Sequence, residues 1–210
     1  MASAAESADR LEQQHRTFID AAAAGVRHIV YTSFLGAAPD ATFTLARDHW
    51  ATEQDLRATE MSWTFLRDSF YLDFLPTLAG EDGIIRGPGG NGRVGAVARV
   101  DVARCAAAVL TDLDHHTGQT YNLTGPEAIP LAQVAHTITE INGRATTYQQ
   151  ETIEEAYASR RPYGVPEWQL DAWVSTYTAT AAGELALVTD TVERLTGSSP
   201  QNLIELLGRS

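Results

Sequence analysis

The run HIVYTS, residues 28–33, is apolar at both odd and even positions. A strand of this kind cannot hide one face and wet the other, so it belongs in a sheet covered on both sides, as parallel sheets are. A second run, SWTFLRDSF at 62–70, begins after about 28 residues, enough for a crossover helix between parallel neighbours. That helix is predicted over about 47–58. TYNLTGP at 120–126 reads as a third strand, reached through the Ala-rich helix DVARCAAAVLTD, which Asp101 is expected to cap. Strands alternating with helices imply an α/β fold built on a parallel sheet.

The segments around this core read as follows. Residues 3–24 form a helix, with Ser3 and Glu6 as a capping box, Leu11, Phe18, Ala22 and Ala23 on one face, and Gly25 as the stop. EDGIIRGPGGNGRVGAVARV at 81–100 reads as a hairpin with GPGGNG as its turn. Pro130 opens a helix that runs to about Ile141 and closes at Asn142-Gly143. The character changes at Ala145. TTYQQET is strand-like, IEEAYASR and EWQLDAWVSTYTATAAGELA are helical, and a last helix spans about 200–207. Two regions are expected: a sheet domain over 1–144 and a small, mostly helical lobe over 145–210.

Composition narrows the function. Fifteen basic against 27 acidic residues give a net charge of −12, with no Lys/Arg cluster, which argues against nucleic acid or an anionic membrane as partner. No run approaches the ~20 apolar residues of a transmembrane helix. The polar, acidic start MASAAESADR does not resemble a secretory signal, so a cytoplasmic location is expected. Cys105 is the single cysteine and reads as a buried small hydrophobe. His115-His116 has no third ligand at short spacing, and no metal site is expected. Glu151, Glu154 and Glu155 sit at a helix start, where the dipole favours negative charge.

The segments GVRHIVYTSFLGA, ARDHWATEQDLRAT, WTFLRDSFYLDFLP, ARVDVARCAAAVL and QTYNLTGPEAIPL, in this order, resemble the NmrA-like branch of the atypical short-chain dehydrogenase/reductase family. The nearest subgroup is the type-2 NAD(P)H:quinone oxidoreductases. The resemblance implies a Rossmann-like fold, with NADP or NAD as cofactor and a quinone-type acceptor. Family members begin with a first strand, a GxxGxxG turn and three further βα units that this chain does not show. The fold expected is therefore a partial Rossmann-like sheet lacking its N-terminal strands. GPGGNG is no substitute for the missing turn, because it does not link a strand directly to a helix. The diphosphate normally rests on backbone N–H groups of that first turn. A truncated oxidoreductase, weak or inactive alone and binding dinucleotide weakly, is the expectation. A redox-sensing regulator without turnover and an inert fragment are the alternatives.

The resemblance also assigns residues. Ser33 ends the first strand, where the wider family hydrogen-bonds a substrate carbonyl. The Tyr and Lys that follow in that family fall on Leu45 and His49, and Leu45 cannot transfer a proton, so the usual carbonyl-reductase mechanism is excluded. Quinone reduction does not require that pair. Ser33 and His49 are the candidate catalytic residues. Ser33, Phe34, His49, Asp68, Ser69 and Phe70 are the candidate cofactor contacts, with Phe70 and Tyr71 facing the acceptor. Thr124-Gly125-Pro126 would bound the pocket. With no strand before it, the edge of 28–33 is expected to recruit a second copy of the chain.

Overall fold

The protein is described by a computed structural model over residues 14–208. Helix α1 (Arg16–Ala23) leads into strand β1 (His28–Phe34), and α2 (Thr44–Arg57) crosses to β2 (Ser62–Asp68). A 3-10 segment over Leu72–Leu78 precedes the short strands β3 (Ile84–Gly87) and β4 (Arg93–Val94). Helices α3 (Arg99–Thr111) and α4 (Leu113–His116) then lead to β5 (Gln119–Leu123). After β6 (Ile129–Pro130) come α5 (Leu131–Asn142), β7 (Thr147–Gln150) and α6 (Ile153–Arg160), followed by α7 (Glu167–Ala181), α8 (Thr191–Thr196) and α9 (Leu203–Leu207).

Strands β1, β2 and β5 form one parallel sheet in that order, with Phe34 opposite Asp68 and Asp68 opposite Leu123 at the carboxyl edge. Both faces are covered, as the unbroken apolar run requires. Ile29, Tyr31 and Phe65 pack against Ile19, Ala22 and Leu56 of α1 and α2. On the other face Leu66 and Leu123 meet Val102, Cys105 and Val109 of α3 and Val192 of α8. Each large apolar side chain so buried contributes about 1.5–3 kcal/mol. A third cluster caps the carboxyl edge and draws Phe34, Phe43, Leu75, Ile85, Val134, Ala179, Leu185 and Leu203 together.

Several expectations need correction. Ser3, Glu6 and Leu11 lie outside the described residues. Ala22 is buried as expected, but its companion is Ile19: Phe18 is 43% exposed and Ala23 is exposed as well. The 81–100 segment is not a hairpin: β3 pairs in parallel with β7, and β4 pairs antiparallel with β6. GPGGNG still turns the chain, with Gly90 at φ +57°, while Gly87 and Gly92 are required by close packing. A side chain at Gly87 would strike the Tyr177 ring at 2.3 Å, and one at Gly92 would strike the Thr180 carbonyl at 2.0 Å. The loop's N–H groups at Gly89 and Gly90 donate to the Tyr148 hydroxyl and to Gln150 Oε1.

Asp101 is not a cap either. Helix α3 starts at Arg99, and the buried Asp101 carboxylate accepts the Gln201 N–H at 2.8 Å and an Arg104 N–H at 2.9 Å. It ties the C-terminal segment to α3. The last helix opens at Asn202 rather than Pro200, through a capping box with Glu205. A second box, Thr152 with Glu155, starts α6, while Glu151 pairs with Arg160 at 2.9 Å.

Candidate active site at the carboxyl edge of the sheet

In open α/β sheets ligands bind beyond the carboxyl ends of the strands. Here those ends present Ser33 and Phe34 from β1 and Asp68 to Tyr71 from β2. The ladder runs past the strands, since the Leu35 N–H donates to the Asp68 carbonyl and the Ser69 N–H to the Leu123 carbonyl. The backbone at this edge is thus fixed on both sides of β2.

Three phenyl rings close the edge. Phe34 lies 4.8 Å from Phe43 and 5.1 Å from Phe70, and Phe43 lies 5.2 Å from Phe70, centroid to centroid. The His49 ring stacks on Phe34 at 6.1 Å, and its Nδ1 lies 2.8 Å from the Tyr31 hydroxyl. Burial pushes the Tyr31 hydroxyl well above its ordinary pKa, and the Glu53 and Asp68 carboxylates add to this. It therefore keeps its proton, and it ties the His49 ring to β1 through Nδ1.

Ser33 is buried and donates to Glu53 Oε1 at 2.6 Å. Arg67 clamps the same carboxylate with Nε at 2.8 Å and Nη2 at 2.7 Å, and Arg57 approaches at 3.5 Å. The Arg57 guanidinium lies over Trp63 and Phe65. Glu53, fully buried, is the centre of a charge network joining α2 to β1 and β2. The structure thus joins His49 to Phe34 and Phe70, and joins Ser33 to Glu53.

Asp68 and Ser69 are the unusual pair. Both are buried, and neither Asp68 Oδ2 nor Ser69 Oγ has a hydrogen-bond partner among the described residues. Tyr71 donates its hydroxyl to Asp68, with Arg99 over its ring at 4.9 Å. Burial still outweighs that bond and pushes the Asp68 carboxyl up to about 7. Unpaired buried polar atoms cost about 1–3 kcal/mol each and call for an explanation.

Other candidates are occupied by structure. The Thr124 hydroxyl accepts the Thr189 N–H at 2.9 Å, and a side chain at Gly125 would strike the Ala96 carbonyl at 2.2 Å. His115 pairs with Asp112 and His116 with Tyr121, so the two imidazoles take separate partners. Cys105 is buried, and that burial raises its thiol to about 11. Among the described residues no helix is long and apolar enough to cross a membrane. Tyr31, Glu53 and Phe43 were not singled out by the sequence as site residues, because each reads as an ordinary core or helix residue until the edge is assembled.

The sequence profile of an NAD(P)H-binding family matches residues 1–113, over half of the chain. The chain belongs to this NAD(P)H-binding family. That membership bears out the resemblance read from the sequence and assigns NAD(P)H as cofactor. Among relatives in the family, an NAD(P)H azoreductase of Xenophilus azovorans is 32% identical over 200 residues, 94% of this chain and 70% of that protein. Quinone oxidoreductase 2 of Escherichia coli is 33% identical, over 91% of this chain and 68% of its own length. The NADPH complex of the E. coli NADPH-dependent quinone oxidoreductase superposes with a TM-score of 0.86 at 31% identity, covering 99% of this chain and 74% of that one. The orphaned Asp68 and Ser69 atoms fit the carboxamide end of a nicotinamide, which offers both a donor and an acceptor.

Proposed function

We propose that the chain reduces a quinone-type acceptor with NAD(P)H, using the carboxyl edge of β1 and β2 as its reaction site. The coarser class, an NAD(P)H-dependent oxidoreductase, rests on family membership and on the kinship with quinone and azo reductases. The observation that carries the finer reading is the buried, unpartnered pair Asp68 Oδ2 and Ser69 Oγ beside Phe70. NAD(P)H supplies a hydride when bound. Ser69 Oγ–H donates to a carboxamide oxygen and Asp68 accepts from its amide, while Phe34 and Phe70 exclude water from the ring. His49 Nε2 hydrogen-bonds the acceptor oxygen, the Tyr31 hydroxyl holds the ring through Nδ1, and the proton that follows the hydride comes from water. Tyr71 and Phe70 flank the acceptor. Ser33 acts through Glu53, by fixing α2 and hence His49 against the sheet.

The test is oxidation of NADPH with a benzoquinone acceptor. Ser69→Ala should raise KM for NADPH about tenfold, the worth of one buried hydrogen bond. His49→Ala should lower kcat with little change in that KM. Absence of quinone-dependent oxidation, or a Ser69→Ala enzyme with wild-type KM, would refute the assignment.

A further inference from the structure

A second feature lies away from the strand ends. A cleft of about 500 Å³ opens between the 3-10 segment, β3, α6 and α7, within the size range of small-molecule pockets. Phe74, Tyr163, Trp173 and Tyr177 give it aromatic walls, and Arg86 and Arg160 are its charged lining. Among the described residues no carboxylate lines it. A narrow gap that shares Phe74, Leu78, Thr176 and Tyr177 with the cleft continues to Phe70.

The polar arrangement has a direction. Arg86 is held by Asp82 at 2.6 Å and Arg160 by Glu151 at 2.9 Å, with both carboxylates outside the lining. Asp82 engages two of the five N–H donors of Arg86. Arg160 is anchored further by the Arg86 and Ala156 carbonyls, and its guanidinium lies over the Tyr177 ring at 5.1 Å. Among the described residues Arg86 keeps three N–H donors without a partner, and Arg160, whose Nη1 is taken by Glu151, Ala156 and Ser159, keeps Nε–H and one Nη2–H beyond these bonds. Tyr163 is 72% exposed, an unusual setting for a ring of its size, and meets Trp173 edge to face at 5.8 Å.

We propose that this cleft binds a planar aromatic compound carrying an anionic group, with the ring between Trp173, Tyr163 and Tyr177 and the anion on Arg86 and Arg160. Rigid guanidinium forks suit a carboxylate or sulfonate. Aromatic walls suit the ring. The inference rests on the reductase reading only in naming the occupant as the acceptor, since the cleft shares Phe74 and Tyr177 with the narrow gap that borders Phe70. Binding to the cleft itself is measurable without cofactor or turnover.

The test uses a matched pair on the full chain: naphthalene-2-sulfonate and its neutral analogue naphthalene-2-sulfonamide, titrated calorimetrically without NAD(P)H. The sulfonate should bind about tenfold more tightly. Arg86→Gln should weaken the sulfonate about fivefold and leave the sulfonamide unchanged. Asp82→Asn frees the guanidinium of its partner and should tighten the sulfonate, a change opposite in sign to any loss of structure. Equal affinity for the two probes, or a sulfonate Kd indifferent to both substitutions, would overturn the proposal. Loss of benzoquinone reduction with probe binding intact would instead refute the reductase reading alone.

Discussion

Replacing Asp68 with Asn removes a carboxyl that the fold holds near neutrality, and so should change how stability depends on pH. Burial at the end of β2 pushes this group up to about 7 from an ordinary 3.8. In the unfolded chain it ionises near the ordinary value. Between the two, the folded protein holds a proton that the unfolded chain has released. Stabilisation is therefore complete below about pH 4, falls as the pH rises and is lost above about 7. A separation of about 3 pH units corresponds to about 4 kcal/mol. Asn cannot ionise, and its carboxamide oxygen still accepts from Tyr71, but its NH2 gains no acceptor, which costs about 1–2 kcal/mol. The variant should match or fall below the wild type at about pH 4.5 and exceed it by about 2 kcal/mol at about pH 8. Urea unfolding over this range reads the difference as a midpoint shift of about 1 M at the alkaline end. Parallel wild-type and variant curves would show that Asp68 is ionised in the folded protein, and would refute the argument that burial governs its carboxyl.

Tyr31→Phe deletes the hydroxyl that holds the His49 ring through Nδ1. It should cost about 1 kcal/mol in urea and lower quinone-reductase kcat several-fold, with KM for NADPH unchanged. Glu53→Leu leaves Arg67 without its two-point partner and Ser33 without its acceptor, and should destabilise the fold by about 3 kcal/mol in the same assay. A stability loss below ~0.5 kcal/mol would show that the network is not structural. Strand β1 pairs only with β2 among the described residues. We expect the opposite edge to drive concentration-dependent self-association in light scattering, and a monodisperse monomer at high concentration would count against it.

The parts of the fold that were legible in the sequence are those fixed by local patterning. Apolar runs without alternation predicted strands buried on both faces, and β1, β2 and β5 are so covered. Pro130 and Gly143 bounded α5 as their backbone preferences require, with Gly143 at φ +68°. What was misread involves long-range pairing. β3 and β4 are joined by a glycine-rich turn, the usual sign of a hairpin, yet each finds its partner past residue 128. The glycines answer to α7, which crosses directly over the loop, and nothing in residues 81–100 announces that helix. Asp101 has the right residue type for a cap, but its carboxylate is satisfied by Gln201, a hundred residues away.

The site divides along the same line. Ser33, His49 and Asp68 could be named because strand ends and family register locate them, but their partners could not. Whether a Ser at a strand end faces a ligand or the helix behind it depends on which residue of α2 lies opposite, and here that residue is Glu53. On the proposed reading, with the serine held there, proton handling at this edge falls to groups with a different chemistry. His49 is oriented by a tyrosine too buried to ionise, and Asp68 titrates near pH 7. Leu45, standing where the wider family places a tyrosine, packs against the core cluster and contributes no proton. The edge is thus suited to an acceptor whose reduction needs a hydride first and a proton afterwards. If that order holds, the kcat profile for quinone reduction should carry a limb near pH 7 from Asp68 that Asp68→Asn removes. An Asp68→Asn enzyme that keeps this limb would show that another group sets it.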